Sequence, residues 1–84
     1  MKDIIIYTTD YCPYCTAAKA LFKAKNLPYQ EINVSGNSEK RRWLVETTGR
    51  TTVPQIFIGE LSVGGFDDVN VLNAQGKLDE LLAD

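Results

Sequence analysis

Cys12 and Cys15 are the only cysteines in the chain, and they stand two residues apart in Cys12-Pro13-Tyr14-Cys15. The pair follows an apolar β-type run, Ile4-Ile5-Ile6-Tyr7, and opens a helical pattern. This spacing lets one thiol reach the other at the first turn of a helix. Thiol–disulfide exchange needs that arrangement: one exposed sulfur to attack and a second to resolve. The other uses of such a pair fit less well. A structural disulfide suits a secreted chain, whereas Met1-Lys2-Asp3 leads straight into a strand, unlike a signal peptide. It would also close a loop too short to remove much entropy from the unfolded chain. Structural zinc needs four ligands, and with no histidine present a dimer or carboxylates would have to complete the shell. Two inert core cysteines stay open as a reading.

The elements that must position these thiols are legible in outline. Asp3 to Thr8 suits a strand buried on both faces. Pro13 falls where a helix can begin without losing a needed hydrogen bond. Tyr14, Ala17, Ala18, Leu21 and Phe22 then form a helical apolar stripe. Tyr29 to Val34 reads as a second strand. Ser38 is placed to cap a helix running to about Thr48, which Gly49 stops. Gln55 to Ile58 is a third strand, turned by Gly59-Glu60 into Leu61-Ser62-Val63. Gly64-Gly65 breaks that strand, and Asp67 or Asp68 caps a short helix through about Asn73. Leu78, Leu81 and Leu82 mark a last helix. The predicted order is βαβα followed by ββα and a helical tail. It gives one mixed four-stranded α/β sheet whose two faces must both be covered by helices.

Bulk properties narrow the function. Eighty-four residues, 44% of them hydrophobic, fill one core, so residues 1–84 read as a single domain. No apolar run approaches a membrane span, and the expected location is the cytoplasm. Nine basic against eleven acidic residues give a net charge of −2 and no general pull toward nucleic acid or an anionic membrane.

Three blocks carry a resemblance. Ile6-Tyr7-Thr8 ahead of Cys-Pro-Tyr-Cys, then Gly49-Arg50-Thr51-Thr52-Val53-Pro54-Gln55-Ile56-Phe57-Ile58, then Gly64-Gly65-Phe66-Asp67-Asp68, resemble in order and distance the signature blocks of the small bacterial dithiol glutaredoxins. The resemblance covers essentially the whole chain and implies a thioredoxin fold. It also implies a monomer that uses glutathione as co-substrate, with no tightly bound cofactor or metal. The partners it implies are disulfide-containing or glutathionylated proteins.

Cys12, at the helix start, is then the nucleophile, because unsatisfied N–H groups and the helix dipole favour its thiolate; Cys15, one turn in, resolves. The pattern of Tyr14 suits a core-facing ring, whereas the resemblance puts it beside glutathione. By the same resemblance the Val53–Pro54 bond is cis, and Thr52, Val53 and Pro54 offer a backbone edge to which glutathione adds as a short strand. Gly65, Phe66, Asp67 and Asp68 would receive its γ-glutamyl end. There N–H groups meet a carboxylate and an aspartate, with Asp67 taken first, meets the ammonium. Arg41 matches the position that reaches the glycine carboxylate.

Two positions depart from the family pattern. Thr9 stands where many relatives have a lysine three residues before the first cysteine, and the carboxylate of the following Asp10 opposes the thiolate. Phe66 replaces a Cys or Ser and adds an apolar wall. Two rival readings are a redoxin reduced by thioredoxin reductase and serving ribonucleotide reductase, and a carrier of an iron–sulfur cluster held by Cys12 and glutathione at a dimer interface.

Overall fold

The computed structural model describes residues 1–83. Its elements are β1 (Ile4–Thr8), α1 (Pro13–Ala24), β2 (Gln30–Asn33), α2 (Ser38–Thr48), β3 (Gln55–Ile58), β4 (Leu61–Gly64), α3 (Phe66–Ala74) and α4 (Lys77–Leu82). The four strands form one sheet in the order β2-β1-β3-β4. β1 runs parallel to β2, while β3 is antiparallel to both β1 and β4. This is the mixed, helix-covered α/β sheet expected from the sequence.

The central strands show why an unbroken apolar run was needed. Successive side chains of a strand point to opposite faces. Ile4 and Ile6 of β1, with Ile56 and Ile58 of β3, join a core built with Ala18 and Phe22 of α1, Val69 of α3, and Leu78 and Leu82 of α4. Tyr7 and Phe57 point the other way and meet Val34 and Leu44 of α2, flanked by Ile5 and Ile32. Tyr7 is edge-on to Phe57 and tilted against Trp43, and Lys40 Nζ lies 4.5 Å from the Trp43 ring. Burial raises the Tyr7 phenol above its ordinary pKa. The sheet thus has α1, α3 and α4 on one side and α2 on the other.

Several expected boundaries move. The α2 cap is Asn37, not Ser38: its side-chain oxygen accepts the Lys40 N–H at 3.0 Å. Gly49 ends α2 in the left-handed region, at φ 73°, as its type allows. Neither Asp67 nor Asp68 is the cap of α3. Gly65 is, and Asp68 reaches back to accept the Gly65 N–H at 3.0 Å. The apolar stripe of α1 shifts as well. Cys15, Ala18 and Phe22 face the core, and Tyr14 is 60% exposed.

A polar contact ties the end of β1 to the edge strand. Thr8, buried, donates its hydroxyl to Glu31 at 2.7 Å, and Lys19 of α1 pairs with Glu31 at 3.2 Å. The Thr8 hydrogen bond first, and Lys19 after it, hold the Glu31 carboxyl below its ordinary value of 4.5. A carboxyl lowered in the folded state stabilises the fold above the unfolded pKa, and that contribution is lost as pH falls through the folded pKa. Glu31→Gln is therefore expected to cost about 1 kcal/mol or less at neutral pH, since the pair is partly exposed. In urea unfolding, the gap from wild type should close as the pH drops below 4.5. A gap that stays constant down to low pH would show that the carboxylate charge is not what stabilises this corner.

Candidate active site

The loop from β1 into α1 is held from one side. The Asp10 N–H donates to Ser35 Oγ at 2.8 Å, Asn33 donates its amide to Asp10 Oδ1 at 2.8 Å, and the Ser35 N–H donates to Asn33 Oδ1 at 2.8 Å. The Asp10 carboxylate, expected to bear on the thiolate, is thus engaged by Asn33 at the end of β2. The next residue, Tyr11, has φ 56°, a left-handed conformation uncommon for a bulky side chain, and is fully exposed. This bend delivers Cys12 in extended conformation to the N-cap of α1, with Pro13 as the first helical residue.

Cys12 caps the helix with its sulfur. The Cys15 N–H points at Cys12 Sγ at 3.1 Å, and the Cys12 carbonyl accepts the Thr16 N–H at 3.1 Å. The chain is in its oxidised form: Cys12 and Cys15 are joined by a disulfide, with Cα atoms 5.2 Å apart. Cys15 is 2% exposed and Cys12 is half-buried, so the two sulfurs differ in access. On reduction, the N–H that faces Cys12 Sγ and the positive end of α1 favour a thiolate there, while burial disfavours one at Cys15.

Across from the thiols runs the segment before β3. The Val53–Pro54 peptide bond is cis, and the Val53 carbonyl oxygen lies 3.8 Å from Cys12 Sγ. Gln55, fully buried at the start of β3, donates its amide to the Thr52 carbonyl at 2.8 Å and so fixes this segment from behind. Its own Oε1 finds no partner among the described residues.

A cleft of about 300 Å³ opens beside Val53. Its walls are Tyr14 from α1, Thr52, Val53 and Pro54 from the loop, and Gly65, Phe66, Asp67 and Asp68 from the start of α3. These are the glutathione-contact residues expected from the resemblance, except one. Arg41 lies instead in an adjoining cavity of about 250 Å³, with Leu44, Val45 and Thr51. Tyr14 was the ambiguous case; off the core stripe, its ring faces Phe66 with centroids 6.5 Å apart. One lining residue went unpicked: Arg50, which borders both cavities and pairs with Asp68 at 2.8 Å. Its cationic type within the second block was the available signal. The Gly65 N–H first, and Arg50 second, hold the Asp68 carboxyl below its ordinary value. The site therefore offers a capped sulfur, a backbone edge, an acidic helix start paired with Arg50, and a second guanidinium, Arg41, in the adjoining cavity. Among the described residues no cluster of three or more Cys, Asp or Glu could hold a metal, and no helix is long and apolar enough to cross a membrane.

Comparison with known proteins agrees with this geometry. The glutaredoxin family model matches residues 4–63. The chain is 49% identical over 82 residues to glutaredoxin 3 of Escherichia coli strain K12, covering 98% of this chain and 99% of that one. The solution structure of a Brucella melitensis glutaredoxin is 51% identical, superposes with a TM-score of 0.87, and covers 98% of this chain and 89% of that one. A buckwheat glutaredoxin crystallised as a complex with glutathione is 33% identical. It has a TM-score of 0.88, over 96% of this chain and 76% of that one.

The access difference between the sulfurs is directly measurable. In the reduced protein, Cys12 is expected to alkylate well before Cys15, and its thiolate absorbance should titrate below the free-thiol value of about 8.5. Equal alkylation of the two, read by peptide mass, would contradict the capping role given to Cys12.

Proposed function

The chain belongs to the glutaredoxin family, whose members are thiol–disulfide oxidoreductases, and from that premise we propose that it draws its electrons from glutathione. The observation that carries this reading is the cleft beside Val53, whose carbonyl oxygen lies 3.8 Å from Cys12 Sγ. It combines the Val53 backbone edge with an acidic helix start, where Arg50 pairs with Asp68, and it has Arg41 in the adjoining cavity. Glutathione is a short extended peptide with an ammonium and a carboxylate at one end and a second carboxylate at the other. In our reading its central amide groups pair with Val53 as an added strand. Its γ-glutamyl carboxylate meets the N–H groups of Phe66 and Asp67 at the start of α3. Arg41 meets the glycine carboxylate. The ammonium goes to Asp68 in preference to the more exposed Asp67. Asp68 is held ionised, and Oδ1 has no partner among the described residues. Tyr14 and Phe66 form the apolar wall against the cysteinyl part.

The chemistry then follows from the two sulfurs. With a glutathionylated protein, the Cys12 thiolate attacks the glutathione sulfur, the mixed disulfide breaks and the protein leaves as its thiolate. A second glutathione thiolate attacks the glutathionyl sulfur, releasing oxidised glutathione and restoring Cys12. With a protein disulfide, Cys12 attacks one sulfur and the partner sulfur leaves as a thiolate. Cys15 then attacks Cys12, freeing the substrate as a dithiol and closing Cys12–Cys15. Two glutathiones reopen that bond in successive exchanges. Glutaredoxin potentials lie close to the cytosolic glutathione poise, which lets the pool drive either route. We take residues 1–84 to act as one monomeric domain in the cytoplasm, with glutathione as a passing co-substrate.

A coupled assay decides the reductant. Turnover of a glutathionylated peptide is expected with glutathione and glutathione reductase, and not with thioredoxin reductase; the reverse pattern would replace this reading with that of a thioredoxin-reductase-dependent redoxin. Cys12→Ser should abolish turnover, while Cys15→Ser should keep deglutathionylation and lose the dithiol route. Within the cleft, a charge-assisted hydrogen bond is worth about 1.5–3 kcal/mol. Asp68→Asn should thus raise the KM for glutathione by about tenfold or more. Asp67→Asn, removing a solvated charge, should raise it by less. A larger effect at Asp67 would transfer the ammonium to that residue.

A further inference from the structure

Arg50 and Asp68 come from separate parts of the chain, the loop after α2 and the first turn of α3, and meet at 2.8 Å. Both are about half exposed, with side-chain accessibilities of 50% and 45%, so the pair adds little to stability. Yet the backbone around it is shaped to admit it. Gly64, at the end of β4, has φ 104°, where side chains are disfavoured. A Cβ there would collide with the Asp68 carboxyl and stand 3.0 Å from Arg50 Nη1. The first glycine of Gly64-Gly65 thus makes room for an ion pair within the protein. Gly65 has an added Cβ 3.4 Å from the Pro54 carbonyl, so there the main chains themselves lie close.

The bonding of Asp68 is lopsided. Oδ2 accepts both the Gly65 N–H, at 3.0 Å, and Arg50 Nη1, at 2.8 Å. Oδ1 has no hydrogen-bond partner among the described residues, although Asp68 lines the cleft. We infer that Arg50 is a positioning residue for glutathione: by fixing Oδ2 together with Gly65, it leaves Oδ1 of Asp68 to accept the ammonium of the γ-glutamyl end. This rests on the glutathione reading given above. It assigns Arg50 no contact with the ligand; its effect passes through Asp68.

The carboxylate is the form that binds the ammonium, so affinity falls as pH drops through the Asp68 pKa. The Gly65 N–H and the Arg50 guanidinium hold that pKa below the ordinary value of 3.8. Without Arg50 the fall should begin at higher pH. The ionisable groups that share this cleft are Arg50, Asp67 beside Asp68 on α3, and Tyr14 from α1. Asp67 is the only other carboxyl among them, and an Asp67→Asn background separates its titration from that of Asp68.

The test is a double-mutant cycle on the full chain. The readout is the dissociation constant of S-methylglutathione, an unreactive probe with both charged ends, followed by amide NMR from about pH 2.5 to pH 7. Arg50→Ala is expected to weaken binding by about tenfold and to move the acid fall-off upward. Arg50→Lys, which keeps the charge, should recover part of the loss. In an Asp68→Asn background, Arg50→Ala should add less than about twofold. Full additivity would overturn the inference and make Arg50 a direct ligand contact. Binding unchanged by Arg50→Ala would overturn it as well. If wild type fails to bind the probe at any pH, the glutathione reading itself falls, and this inference with it. Intact amide spectra of each variant confirm that the fold is kept.

Discussion

The arrangement turns on one contact, the Cys15 N–H aimed at Cys12 Sγ at 3.1 Å. A helix start leaves N–H groups without partners inside the helix, and a side chain usually supplies the missing acceptor. Here a sulfur supplies it. One interaction therefore ends the loop, begins the helix and favours the charged form of this sulfur on reduction. It requires Cys12 to sit at the cap in extended conformation and Cys15 to lie one turn inside, which is where burial makes it the less accessible thiol. Much of the fold serves that placement. β1, sealed on both faces, fixes where the loop leaves the sheet. The hydrogen bonds among Asp10, Asn33 and Ser35 fix the loop to the end of β2, and the core contacts of Ala18 and Phe22 fix the helix it enters.

Around this sulfur the chain gathers segments that are distant in sequence. The Val53 edge comes from the loop before β3, and it is steadied by the buried Gln55. The acidic start of α3 comes from beyond the β3–β4 hairpin. Arg50 joins the two. The result is a cleft that sets charged groups of both signs beside a backbone edge, though the chain as a whole carries a net charge of only −2.

How much of this was legible in the sequence depended on whether the deciding interaction was local. The strands were clear because an apolar run such as Ile4-Ile5-Ile6-Tyr7 has one good use in so short a chain. The helix caps were less so. In Gly36-Asn37-Ser38 two residues have capping side chains, and the choice rests on which oxygen reaches the Lys40 N–H. At Gly65-Phe66-Asp67-Asp68 the aspartates drew the cap assignment, whereas glycine takes the cap and Asp68 acts three residues in. Tyr14 matched the helical stripe by spacing, but Cys15 is the residue that fills that face. Arg50 could not be singled out at all by periodicity, since a surface arginine is defined by its partner, and its partner lies eighteen residues on.

The most direct test of the account is the position of the glutathionyl group itself. Cys15→Ser can be converted to its mixed disulfide with oxidised glutathione and its amide shifts and contacts mapped by NMR. The expected result is a glutathionyl group running along Val53, with its γ-glutamyl end against Gly65, Phe66 and Asp68 and its glycine end toward Arg41. A group that leaves those amides unmoved, or that lies across Tyr11 and the loop before Cys12, would contradict the proposed cleft as the glutathione site.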